Sequence, residues 1–322
     1  MRRAASDLAA GWIAADTAPD GLLTAIDTLA DAPADTVVAA LLPWLTDPLW
    51  WRVRLASALA LLRADPFARP PLRPVGGGDG GAGGGVGGLI LAERGAVRIT
   101  LRLWPFATHA PVPAAAIFVP GRTALHVLAG GGAMLRQHHV AVTAAEEAGA
   151  FTAAAAAPCH STAARALSTG ETLHLDSARH SFTLAPGPGQ HDALLLELTV
   201  QPPSPLPIRA YDIATGRLLH VSASRRDNSF RTMALTLLRH LGRIDAAPLF
   251  AAATGSADFA ARWHAMRELI ALDPAAAWPV LGAMAASDPH PEVRAAAAAA
   301  LALYPPLSFS EGLSERNACP LT

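Results

Sequence analysis

Lysine is absent from this 322-residue chain, whose 25 basic residues are all arginine. Schiff-base chemistry, a Walker-type phosphate loop and a lysine general base are thereby excluded, since each needs an ε-amino group. Cysteine is nearly absent too. Cys159 and Cys319 lie far apart and form no CxxC pair, which argues against a disulfide framework and a cysteine zinc site. No uninterrupted apolar run reaches about 18 residues, so no membrane span is expected. Charge is scarce at 16%, and the 25 basic and 26 acidic groups form neither a basic stripe nor an acidic tail. Nucleic-acid binding therefore has no electrostatic footing. The N-terminus MRRAASDLAAGWIAAD opens like a secretory leader, but Asp7 and Asp16 interrupt its apolar stretch. It reads as an amphipathic helix, and a reducing, cytoplasmic setting is the expectation.

What is present is an apolar, globular composition, 52% hydrophobic, with length for two or three domains. Residues 1–66 carry apolar side chains at helical spacing: Leu22, Leu23, Ile26 and Leu29, then Val37, Val38, Leu41, Leu42 and Leu45. Asp47-Pro48 ends that pattern, and WWRVRLASALALL begins another helix. Residues 67–88 hold RPPLRP and GGGDGGAGGGVGG, which reads as a tether. A dinucleotide loop would need a strand before such glycines and a helix after them, and neither is predicted.

From 89 to 226 the pattern changes to short apolar or alternating runs split by Gly, Pro and Asp. Ten candidate strands, among them 96–103, 133–142, 171–175, 179–184 and 193–200, predict an antiparallel β-sandwich or small barrel. Only 144–157 looks helical there, and its AGAFTAAAAAPC portion reads equally as a covering loop. Residues 227–306 are helical again, followed by a tail at 307–322. The fold class expected is multidomain α+β, a central antiparallel sandwich flanked by helices on both sides in sequence.

The helical end carries an internal period of 31 residues. FRTMALTLLRHL (230–241) falls on ARWHAMRELIAL (261–272), which falls on EVRAAAAAALAL (292–303). Ala234, Ala265 and Ala296 align, as do Leu238, Leu269 and Ala300, and Leu241, Leu272 and Leu303. Apolar residues recurring at i, i+1, i+4 and i+7 over a fixed period mean stacked helical hairpins, each burying its neighbour's face. These residues, SDPHPEVRAAAAAALAL above all, resemble HEAT-like repeats of the short bacterial kind. That resemblance implies a protein or peptide partner bound to an apolar or Arg-lined face of the array. Trp50, Trp51, Trp263 and Trp278 are read as core packing between helices, with partner anchoring as the alternative.

Nine of the twelve histidines fall in the strand region, and imidazole is the commonest ligand for zinc, iron, copper and nickel. Gly132 with five residues and His138, then Gly170 with His180 ten residues on, is similar to a degenerate cupin motif pair. The resemblance implies a divalent metal on His138, His180 and Glu146, and an oxygenase or isomerase reaction on a small molecule or peptide. Val140 stands where the motif has its second His, and Glu146 comes late. A separate candidate set is His174-x-Asp176, one strand face, completed by His220, with Arg225 or Arg226 for a co-substrate carboxylate. Asp176-Ser177-Ala178-Arg179 reads equally as a hairpin turn. Adjacent Cys159-His160 does not make a nucleophile and base, which must meet in space with the His oriented by a third group.

Overall fold

The computed structural model describes residues 2–75, 87–105, 113–187, 191–222, 226–256 and 258–303. Two compact units divide the chain: Met1–Ala144 with Ala153–Ser224, and Ala145–Thr152 with Arg225–Thr322.

The first unit opens with four helices, α1 (Arg2–Asp16), α2 (Leu22–Thr28), α3 (Ala34–Thr46) and α4 (Pro48–Ala64). Asp47 separates the last two. Its carboxylate accepts the Leu49 N–H at 2.8 Å, and Pro48 takes the first helical position, where a missing N–H costs nothing. Thirteen strands follow among the described residues: β1 (Arg73–Val75), β2 (Gly87–Arg94), β3 (Val97–Trp104), β4 (Ala115–Phe118), β5 (Arg122–Ala129), β6 (Met134–His139), β7 (His160–Ser161), β8 (Arg165–Ala166), β9 (Thr172–Asp176), β10 (His180–Ala185), β11 (Ala193–Val200), β12 (Ile208–Asp212) and β13 (Leu218–Ser222).

One layer of the sandwich is a six-stranded antiparallel sheet in the order β1-β2-β3-β11-β5-β9. The facing layer consists of two smaller sheets, β10-β6-β7 with β8 also on β6, and β13-β12-β4. Val127 and Leu195 of the large sheet meet Leu135 and Leu184 of the small one, while Phe118, Tyr211 and Val140 fill the other end. On β11, Leu196, Leu198 and Val200 point the opposite way and pack with Leu22, Ile26, Val37, Val38 and Leu41 of α2 and α3. Both faces of the large sheet are therefore covered, one by the small sheets and one by α2 and α3.

Two expectations change. The Pro/Gly stretch was expected to hold no strand, yet Arg73–Val75 pairs with Gly88, Leu89 and Ile90, and Gly87-Gly88 already belong to β2. Only residues 76–86 of it lie outside the described residues. The second is the 144–157 segment, read as helix or, from Ala148, as a covering loop: it is helical only to Ala150, ending in the π-helical turn Glu146–Ala150, and loop beyond.

The second unit holds α5 (Arg226–His240), α6 (Ala247–Ala253), α7 (Phe259–Leu272), α8 (Pro274–Ser287) and α9 (Pro291–Leu303). Leu235, Phe250, Ala265, Met266, Leu269, Leu281, Val293 and Ala297 form one core. Ala265 and Ala297 are fully buried, so small side chains set how closely the helices approach. Arg262 meets Asp288 in the interior, with Nε donating to Oδ2 at 2.9 Å and Nη2 to Oδ1 at 2.8 Å. His290 is stacked on Phe259 at 4.1 Å and bonds the carbonyl of Phe151, tying the π-helical segment to α9.

Burial pushes the Asp288 carboxyl up, but hydrogen bonds from Arg262 and the His290 N–H outweigh it and leave the group below the ordinary carboxylate range. Arg262→Ala strands that carboxylate in the core and is expected to cost about 3–5 kcal/mol, read from urea unfolding followed by helical circular dichroism. The pair's contribution is complete above the unfolded value of about 3.9 and disappears as pH falls through the depressed folded value. Wild type and variant should therefore converge in acid, and a constant gap down to pH 2 would contradict the assignment.

Candidate functional site

Neither candidate ligand set of the strand region converges among the described residues. His138 lies on β6 and is 1% exposed. Its Nδ1 is 2.8 Å from Ser161 Oγ on β7 and its Nε2 2.9 Å from Thr183 Oγ1 on β10. Both ring nitrogens are thus engaged by hydroxyls, one as donor and one as acceptor, and the ring pins three strands together. Burial, then the nearby Arg136, lowers its pKa to about 4. The cross-strand neighbour of His138 is Ser181, whereas His180 stands opposite His139 and faces solvent with it. Successive strand residues point to opposite faces, so His138 and His180 cannot share an ion. Glu146 sits in the π-helical turn that groups with the helical unit.

The second set fares no better as ligands. His174 is exposed on β9, opposite Ala124. Asp176 is occupied: Oδ1 accepts from Arg122 Nη1 at 2.8 Å and from the Ala178 N–H at 3.1 Å, and Oδ2 from Arg179 Nη1 at 2.9 Å. It organises a turn, though one that carries the chain from the large sheet to a small one and does not join two paired strands. His220 is exposed on β13, paired with Ala210. Arg225 and the Arg226 side chain lie outside the described residues. Among the described residues no three His, Cys, Asp or Glu side chains are grouped to hold a metal ion, and these donor sets do not fit one. Burial pushes the Cys159 thiol up to about 11, and His160 stacks on His139 with ring centroids 5.2 Å apart. A protonated buried thiol is no nucleophile.

The helical unit presents a surface of another kind. On α5, Phe230, Met233, Leu237 and Leu241 follow one another at helical spacing and are 69%, 63%, 58% and 63% exposed. Ile244 and Leu249, just beyond, are each 60% exposed. The 31-residue alignment relates this face to one that is covered. Its counterparts on α7 are Ala261, His264, Glu268 and Leu272, and there α5 is the neighbour. Thr236 Oγ1 meets His264 Nε2 at 3.1 Å, and Arg239 donates to Glu268. The face that receives a helix on α7 is bare on α5 and built of large apolar side chains. Its signal in the sequence is three repeat positions at which only the first repeat carries a large apolar side chain.

The sequence profile of a family described as HEAT repeats matches residues 217–302, less than half of the chain. No curated protein matches the sequence. Similar solved structures include an HTH_3 family transcriptional regulator from Vibrio cholerae, at 12% identity over 36% of this chain and 51% of that one, with a TM-score of 0.21. This chain thus spans about half of that regulator's length. A cupin domain from Bordetella pertussis Tohama I shows 11% identity over 42% of this chain and 99% of that one, at 0.22. A sugar phosphate isomerase from a cupin superfamily, from Silicibacter pomeroyi DSS-3, shows 10% over 44% and 77%, at 0.27. Likenesses this slight assign neither activity nor ligand.

The His138 ring should titrate near 4 by NMR, against an ordinary value of 6.5. A folded pKa below the unfolded one stabilises at pH above about 6.5, and that stability is lost as pH falls towards 4. His138→Gln should flatten the pH dependence of unfolding across this window, and a ring titrating near 6.5 would show that it is not locked between its two hydroxyls. The C-terminal helices of this chain carry HEAT-like repeats.

Proposed function

We propose that this chain is an interaction protein whose helical array docks a helix of a protein partner against the exposed face of α5. The observation that carries the reading is the bare row Phe230, Met233, Leu237 and Leu241. An apolar strip of this width is costly in water, at about 25 cal/mol for each Å² left exposed, and such patches mark interaction sites. Its shape favours a helix, since the corresponding face of α7 is occupied by one. The mode is helix-in-groove recognition, anchored at i, i+3, i+7 and i+11.

A cytoplasmic setting goes with this reading. Among the described residues no helix is long and apolar enough to cross a membrane.

A photo-crosslinking residue placed at Met233 in the full chain tests the site directly. The expected result is a covalent adduct to one partner, identified by mass spectrometry. Adding Phe230→Ser and Leu237→Ser should weaken that association by 100-fold or more, about 1.5–3 kcal/mol for each side chain, with the melting temperature unchanged or raised. Adducts formed equally at control positions on α9 and unaffected by the two serines would sink the proposal.

A further inference from the structure

A second concavity lies among the N-terminal helices, independent of the array. It encloses about 290 Å³ between the end of α1, the start of α2, α3 and the first turns of α4. Three indoles line it, Trp12, Trp44 and Trp50, together with Asp16, Asp20 and Arg54. Leu49 and Val53 stand at its mouth, 68% and 51% exposed.

Arg54 and Asp16 form its floor, with side chains 7% and 9% exposed. The guanidinium lies over the Trp50 ring at 4.5 Å and over the Trp12 ring at 5.2 Å. Only its Nη2 donates to Asp16. The same carboxylate oxygen, Oδ1, also receives Trp50 Nε1 at 3.4 Å, so Asp16 Oδ2 accepts nothing among the described residues. Asp20 at the rim is exposed and has no hydrogen-bond or ion-pair partner among them either. Gly21 holds these groups close: a Cβ there would fall 2.3 Å from the Asp16 carbonyl oxygen.

Charge decides what such a cleft takes. Two carboxylates against one guanidinium leave one uncompensated negative charge. An anion would raise that to two in a partly dry site, whereas a monovalent cation neutralises it. The negative π-faces of indole act in the same direction, and Arg54 shows that these rings already accommodate a planar cation. The volume lies at the small end for ligand pockets, which run from roughly 300 to 1,000 Å³.

We propose that this cleft binds a small organic cation, an ammonium or guanidinium on an apolar body. The charged head would sit between Asp20 and the free oxygen of Asp16, and the body against Trp44 and Leu49. Phenethylammonium and 3-phenylpropionate, closely similar in body and opposite in charge, test this by calorimetry on the full chain, with the Trp indole N–H signals followed by NMR. The cation should bind saturably and at least about 10-fold tighter than the acid, shift a subset of indole signals, and weaken as salt is added. Asp20→Asn, at an exposed position that leaves the fold unstrained, should reduce affinity about 5-fold or more, and Trp44→Leu likewise with the melt recorded as a control. Equal or tighter binding of the acid overturns the proposal. So does a cation that shows no saturation below about 10 mM, or one that binds Asp20→Asn as well as wild type.

Discussion

An amphipathic layer is stable only when something covers its apolar side, and this chain meets that requirement in two different ways. The large sheet is apolar on both faces. One is filled by the smaller sheets, through Leu195 against Leu135 and Leu184. The other is filled by α2 and α3, through Leu198 and Val200 against Val37 and Leu41. Each such side chain is worth about 1.5–3 kcal/mol when fully buried, so the N-terminal helices are part of the sandwich's core and not an appendage to it. The helical unit solves the same problem by repetition, each helix covering the one before.

Charges are few, and several of the buried ones are paired. Arg262 and Arg54 make an instructive contrast, because their side chains are equally buried at 7%. Arg262 closes on Asp288 with two parallel bonds and draws a third acceptor, the carbonyl of Ser256, at 2.9 Å. Arg54 meets its carboxylate through one nitrogen and leaves its remaining edge to the aromatic cleft. A guanidinium is costly to bury with donors unmet. The first arrangement is what a structural pair needs; the second is what an open site looks like.

The array was legible in the sequence because a 31-residue period with alanine at the helix contacts has few physical solutions. The strand region was legible as a sandwich for a similar reason, its short runs and frequent turns leaving no room for long helices. Which histidines meet was not legible. That depends on register, and a slip of one residue sends every side chain to the opposite face. His180 pairs with His139 and not with His138, and no local pattern distinguishes the two alignments. Asp176 was open to two readings, ligand or turn, and its three donors decide for the turn. The cover supplied by α2 and α3 was not legible either: Leu196, Leu198 and Val200 alternate with Glu197 and Thr199, the pattern of a sheet with one buried face.

The two ends of the array differ, and the difference is informative. Repeat stacks ordinarily finish on a face of small or polar residues, because the last unit has no neighbour to hide its leucines. α5 departs from that rule with Phe230, Met233 and Leu237, where the equivalent positions of α9 are Glu292, Ala295 and Ala299. Composition bias towards alanine does not produce such a row, since it acts along the whole chain. Apolar bulk at these positions of α5, against the chain's own preference for alanine, is the observation on which the proposed docking of a partner helix rests.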